Sequence, residues 1–183
     1  MENRYPDYIQ GQTVRLRPAT PADRKMIYEW LAHSDLTPMM LGAPQFPDNP
    51  VPSWEEFADD YAEHFFDGTR PMRGRCFVIE YEGIAIGQIN HDRIYYDDHS
   101  TELDIWLADS SYTGKGYGTD ALIALCGYLN KNFACTRFII APSLRNTQAV
   151  KAYEKAGFHT TETIPEWFVP DYPDAVVMIK ELE

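Results

Sequence analysis

Two short patterns within residues 113–158 constrain this chain more than anything else in it, because one kind of site explains both and their spacing. The first, Thr113-Gly114-Lys115-Gly116-Tyr117-Gly118-Thr119, closes a polar loop and opens an apolar run at helical spacing, Ala121, Leu122, Leu125 and Leu129. Glycines at such a junction let a ligand approach bare backbone. A helix start also carries unpaired N–H groups and the positive end of the helix dipole, which suits a phosphate or pyrophosphate. The second pattern, Asn146-x-x-Ala149-x-x-x-Tyr153-x-Lys155-x-Gly157-Phe158, places Asn146, Ala149, Val150 and Tyr153 on one face of a helix that Gly157 stops.

Other phosphate motifs fit less well. Gly116-x-Gly118-x-x-Ala121 resembles part of a dinucleotide fingerprint, but that site wants an acidic residue about 20 positions on, at a strand end. The next strand-like run here, 137–141, leads into Pro142-Ser143, and no Walker A sequence occurs. A tight loop without a ligand is the bland alternative, and the second pattern weighs against it.

The 183 residues suit one domain, 1–183, long enough to bury its own core. Hydrophobic content of 44% with 14% aromatics is that of a globular chain. No apolar run reaches the length of a membrane span, and the start, Met1-Glu2-Asn3-Arg4-Tyr5-Pro6-Asp7, has no signal-peptide core, so a cytoplasmic protein is expected. Cys76, Cys126 and Cys135 sit in apolar surroundings without metal-ligand spacing, as reduced core residues would. Net charge is −12, yet residues 113–158 carry six Lys or Arg against Asp120 and Glu154, leaving −16 elsewhere. That asymmetry argues for an anion held by the basic segment, a cation met elsewhere, and no nucleic-acid partner.

Alternation at 13–17 predicts a strand, and Thr20-Pro21-Ala22-Asp23 starts a helix running through Met26, Ile27, Trp30 and Leu31. Residues 38–52 hold five prolines and read as a long binding loop or lid. Ser53-Trp54-Glu55-Glu56 is a capping box for a helix to about Phe66. Strands are expected at 75–81 and 84–94 around a Glu82-Gly83 turn, then at 101–108, 137–141, 159–164 and 175–179, with helices after Thr119 and Asn146.

This order, with the two patterns, is similar to the GNAT acetyltransferases: an α/β (α+β) fold with a mixed, mostly antiparallel sheet flanked by helices and splayed at the acetyl-coenzyme A site. Residues 14–31 resemble the opening of two branches, the 6′-type aminoglycoside N-acetyltransferases and the ribosomal-protein N-terminal acetyltransferases. The resemblance implies acetyl-coenzyme A as cosubstrate, held by Thr113, Gly114, Lys115, Gly116, Tyr117, Gly118 and Thr119 with Asn146. It assigns polarisation of the thioester carbonyl to the backbone of Trp106, Leu107 and Ala108, and protonation of the leaving thiolate to Tyr153. Thr113 stands where the family usually has Arg or Gln.

Glu102 and Asp104 alternate with Leu103 and Ile105, so both acids share one strand face, expected to be the acceptor's. Asp104 matches the drug-modifying register and Glu102-Leu103-Asp104-Ile105-Trp106-Leu107 also satisfies the ribosomal one, so either acid can serve the amine. Asp92, Asp97, Asp98 and Asp109 could extend an acidic wall, His91 and His99 could relay a proton, and Trp54, Tyr61, Phe65 and Phe66 read as core. The implied activity is acetyl transfer to a primary amine of a small cationic acceptor such as an aminoglycoside, by a monomer or homodimer. The alternatives are a protein N-terminus or another amine metabolite as acceptor, or a non-catalytic coenzyme A-binding sensor.

Overall fold

The computed structural model describes residues 5–183, so the reading of residues 1–4 lies outside the described residues. Its strands are β1 (Ile9–Gln10), β2 (Arg15–Pro18), β3 (Arg75–Tyr81), β4 (Ile84–His91), β5 (Ser100–Leu107), β6 (Arg137–Ile140), β7 (His159–Thr160) and β8 (Met178–Glu181). They form one sheet in the order β1-β2-β3-β4-β5-β6-β8-β7. Every neighbouring pair is antiparallel except β5 with β6. That pair is registered only from Ser100↔Arg137 to Glu102↔Ile139, so beyond Glu102 the far half of β5 has β4 on one side and an opening on the other.

The helices are α1 (Arg24–His33), α2 (Trp54–Asp60), α3 (His64–Asp67), α4 (Tyr117–Phe133) and α5 (Thr147–Lys155). The apolar stripe of α4 puts Ala121, Leu122, Leu125, Cys126, Leu129 and Phe133 against the sheet, where they meet Leu16, Phe77, Ile89 and Leu103 in the main core. A second core of Ile27, Tyr28, Phe57, Phe66 and Trp106 lies under α1–α3 on the other face. The three cysteines are buried and unbridged. None of the described helices is long and apolar enough to cross a membrane.

The local sequence signals hold at several junctions. Glu82 and Gly83, at φ +50° and +80°, close the two-residue β3–β4 hairpin. Ser53 Oγ accepts from Glu56 N and Glu56 Oε2 accepts from Ser53 N at the head of α2. At the end of α5, Gly157 at φ +92° lets its own N–H reach Glu154 O and Phe158 N–H reach Tyr153 O, both at 3.0 Å.

Three expectations are corrected. The helix starting at Ser53 stops at Asp60 and resumes as α3, because Tyr61 leaves the helical conformation at φ −88°, ψ 70°. The guanidinium of Arg24 takes the carbonyls of Ala58 and Tyr61 at that break. The last strand lies at Met178–Glu181 instead of 175–179, since pairing with β6 fixes it there. The strand expected over 159–164 pairs for two residues only, and β1 was not foreseen.

Candidate active site

A cleft of about 350 Å³ opens where β5 and β6 part. Its walls are Ile105, Trp106 and Leu107 of β5, the 112–119 turn, and the Asn146-to-Lys155 face of α5, with Leu36, Met39 and Met40 along its rim. Gly114 and Gly116 take φ +70° and +83°, and a Cβ at either would meet nothing within 4 Å, so bare backbone borders free space at the head of α4. Gly116 is the N-cap residue. Thr113, Tyr117, Gly118, Thr119 and Asn146 also line the cleft, whereas exposed Lys115 and the residue Ala108 are off its wall. The Thr113 hydroxyl is spent on Ser110 O at 2.8 Å, and Asn146 Oδ1 caps α5 through Ala149 N at 3.1 Å.

The ladder decides which β5 amides face the opening. Ala108 N–H donates to Ile86 O and Asp92 N–H to Glu102 O, both at 2.9 Å, so the even-numbered residues of β5 bond back to β4. Leu103, Ile105 and Leu107 therefore turn their amides away from β4, Leu103 toward β6 and the other two to the open side. Ile105 N–H is taken by Asp104 Oδ1 at 2.8 Å, which leaves Leu107 as the donor nearest the cradle.

Tyr153 is buried on the cleft wall with its ring centroid 6.4 Å from that of Phe158. Burial first, then the nearby Asp104 carboxylate, hold its phenol well above the usual range, so it stays protonated. Asp104 and Glu102 are not on the cofactor wall; they lie on the sheet face under α1–α3, with Trp106. Withdrawal from water pushes Asp104 up to about 6, opposed by a hydrogen bond from the Tyr61 hydroxyl to Oδ2 at 2.8 Å. Burial and the neighbouring acids push Asp92 to about 7 and Glu102 to about 9. Asp60 and Asp171 bear on the same group and are raised by burial themselves.

Tyr61 packs against the second core, as the sequence reading expected, and in addition brings its hydroxyl to Asp104. That contact and the place of Asp171 in the acidic cluster were not foreseen: only the break after Asp60 reveals the first, and Asp171 lies in a loop without a pattern. Asp98 and Asp109, also foreseen for the wall, are engaged elsewhere. Asp98 accepts from Ser100 Oγ and Trp167 Nε1, and Asp109 caps the turn at Ser111 N. His91 is buried between Tyr5 and Asp92 O and held down to about 4 by burial, far from a relay's range.

A roof of irregular chain covers this side. Phe46 is 1% exposed and lies under the Arg145 guanidinium, 4.4 Å from its ring centroid. Arg145 also pairs with Asp174 at 2.9 Å, while Tyr172 OH donates to Met40 O and Asn49 Nδ2 to Asp171 O. The proline-rich segment is thereby sewn to the C-terminal loop.

A splayed sheet, a glycine cradle at a helix start and a tyrosine on the facing helix define an acetyl-coenzyme A-dependent N-acetyltransferase, and the chain belongs to the acetyltransferase (GNAT) domain family, whose model matches residues 13–159. It is similar to the aminoglycoside N(6')-acetyltransferase type 1 of Klebsiella pneumoniae, 27% identical over 180 residues, covering 93% of this chain and 84% of that protein. The solved structure of AAC(6')-Ib in complex with ribostamycin and coenzyme A superposes with a TM-score of 0.72 at 26% identity, covering 93% of this chain and 94% of that one. Mycobacterium smegmatis RimJ in complex with CoA-disulfide shares the fold, with a TM-score of 0.72 at 21% identity over 99% of this chain and 90% of that one.

Proposed function

We propose that this enzyme acetylates a primary amine of a small polycation, with an aminoglycoside as the sharpest case. The observation that supports it most is the convergence of Asp60, Asp92, Glu102, Asp104 and Asp171 on the face beneath α1–α3. Carboxyl groups crowded out of water favour a ligand that brings several ammonium groups to them. The similarity to an aminoglycoside N(6')-acetyltransferase and to a structure that holds ribostamycin favours the same acceptor.

In this reading the backbone of residues 113–119 holds the pyrophosphate, with Asn146 and α5 forming the opposite wall. Leu107 N–H polarises the thioester carbonyl from its open-facing position, a duty that Trp106 and Ala108 can support only by holding β5 in register. Asp104, at about 6, is ionised at neutral pH and takes the proton of the bound ammonium. Glu102, at about 9, holds its own proton there in the empty site, which favours Asp104 over Glu102 as base. The freed amine bonds to the carbonyl carbon, the carbon–sulfur bond breaks, Tyr153 gives its proton to the departing thiolate, and the acylated nitrogen sheds its second proton, which restores the phenol.

A thiol-release assay with acetyl-coenzyme A against aminoglycosides, polyamines and N-terminal peptides tests this. Aminoglycosides are expected to give the highest kcat/KM. Preference for peptides would favour the ribosomal-protein type of acceptor, and tight coenzyme A binding without turnover would favour a sensor.

A further inference from the structure

We propose that Tyr61 is a positioning residue that orients Asp104 and keeps it charged for catalysis. The inference rests on the reading of Asp104 as the base. Asp104 offers two carboxylate oxygens, and each has one donor: Oδ1 takes Ile105 N–H and Oδ2 takes the Tyr61 hydroxyl, both at 2.8 Å. The first bond is local to the strand. The second comes from the residue that follows α2, 43 positions away in sequence, and it fixes the carboxylate plane against the rest of the molecule.

The chain goes to some length to present this phenol. The helix is ended at Asp60, Tyr61 turns out at ψ 70°, and Arg24 takes the carbonyls freed at the break. The ring is then held on three sides: stacked on Phe57 at 4.9 Å and 12°, edge-on to Trp106 at 5.5 Å and 85°, and tilted against Phe65 at 5.5 Å. Trp106 is itself pinned by Nε1 donating to Ile27 O. A ring so confined has little freedom to lose when its hydroxyl bonds, so the bond is preorganised.

The other groups facing Asp104 oppose its charge or leave it unaided. Asp60 on α2, Asp92 after β4, Glu102 on β5 and Asp171 in the C-terminal loop are acids. Tyr153 on α5, Tyr172 in the C-terminal loop and Cys76 on β3 are neutral, all three raised by burial. Against burial and that acidic surround, the Tyr61 hydroxyl is the largest influence favouring the carboxylate. The phenol, buried and beside Asp104, is raised well above its ordinary value and remains a donor at any working pH.

Tyr61→Phe keeps the stacked ring and removes the bond. The acid limb of the kcat/KM–pH profile is expected to move up by about one pH unit, the scale of a hydrogen bond to a charged group. Activity near pH 9 is expected to recover most of the loss, the small remainder being the cost of a carboxylate plane no longer fixed, and acetyl-coenzyme A affinity by calorimetry to stay unchanged. A loss caused by misplaced packing would persist at every pH. The carboxyl ¹³C titration of Asp104, assigned with Asp104→Asn, is expected to shift by the same amount without any acceptor present. An unchanged ¹³C midpoint and acid limb in Tyr61→Phe, with Asp104→Asn severely impaired, would overturn the role of Tyr61 alone. A fully active Asp104→Asn would instead remove Asp104 as base, and the Tyr61 proposal with it.

Discussion

Gly116 combines a left-handed backbone at φ +83° with open space where a side chain would stand. Any other residue there is strained by roughly 1–2 kcal/mol and also intrudes on the ligand's volume. Gly116→Val is therefore expected to weaken acetyl-coenzyme A binding at least tenfold by calorimetry while the variant still folds. Gly118 is different: it lies inside the first turn of α4, and a Cβ would sit 3.6 Å from Ile105 Cδ1, an ordinary contact. Gly118→Ala adds no backbone strain but narrows the cleft wall, so it is expected to weaken binding less than Gly116→Val does. Tyr153→Phe removes a proton needed only as the thiolate leaves, so turnover is expected to fall roughly 10²–10⁴-fold with cofactor affinity intact. Single-turnover kinetics would show whether the loss lies in the chemical step. The glycines, Tyr153 and Asp104 could be singled out as candidates because their spacing is local to one loop, helix or strand. Tyr61 was not, since an aromatic at helical spacing looks like core until the helix is seen to end beside it.

Among the elements, the roof has the least regular structure and the clearest anchor. Phe46 is buried between the proline-rich segment and Tyr172, with ring centroids 5.9 Å apart, and Arg145 covers its other face. Phe46→Ala would cost about 3–5 kcal/mol if the roof unfolded only with the whole protein. Because the roof has its own small set of anchors, local opening is the cheaper response. The expected result is faster proteolysis within residues 36–52 and a raised acceptor KM, with a smaller change in global melting. A melting temperature lowered as much as for a main-core truncation, without added protease sensitivity, would contradict this. The hairpin, the capping box of α2 and both cofactor-side helices follow from short-range rules visible in the sequence. The α2–α3 break, the displaced β8 and the two-residue β1 and β7 follow from distant partners, Arg24, β6 and the sheet edges, which no local pattern encodes.

For the molecule as a whole, the buried acids set an unusual pH dependence. Asp104, Asp92 and Glu102 have folded values of about 6, 7 and 9, above the ordinary carboxylate values of 3.8, 3.8 and 4.5. The folded state holds protons that the unfolded chain has released, so their contribution is fully present below about pH 4 and lost as pH rises through the folded values. His91, held down to about 4, works oppositely and loses stability as pH falls below its ordinary 6.5. Between pH 7 and 9 His91 is largely neutral in both states; the acids act throughout, joined toward pH 9 by the buried thiols of Cys76, Cys126 and Cys135, which burial also raises. The melting temperature of the ligand-free protein is expected to fall across that window, and Glu102→Gln is expected to flatten the fall. A melting temperature constant from pH 7 to 9 in the wild type would mean that the cluster is better solvated than its burial implies.

The shortness of the β5–β6 pairing carries a consequence of its own. Past Glu102 the sheet has a seam along its middle, and the amide of Leu107 looks into it as an unfinished strand edge would. The cofactor's pantetheine arm, with peptide-like amides of its own, can fill that seam as a surrogate strand. Acetyl-coenzyme A is then as much a part of the architecture as of the reaction: at a hundred times its dissociation constant it adds about 2.7 kcal/mol to folding stability. A cell that runs short of the donor would thus hold this enzyme in its weakest form, its supply of acetyl groups and its persistence rising and falling together.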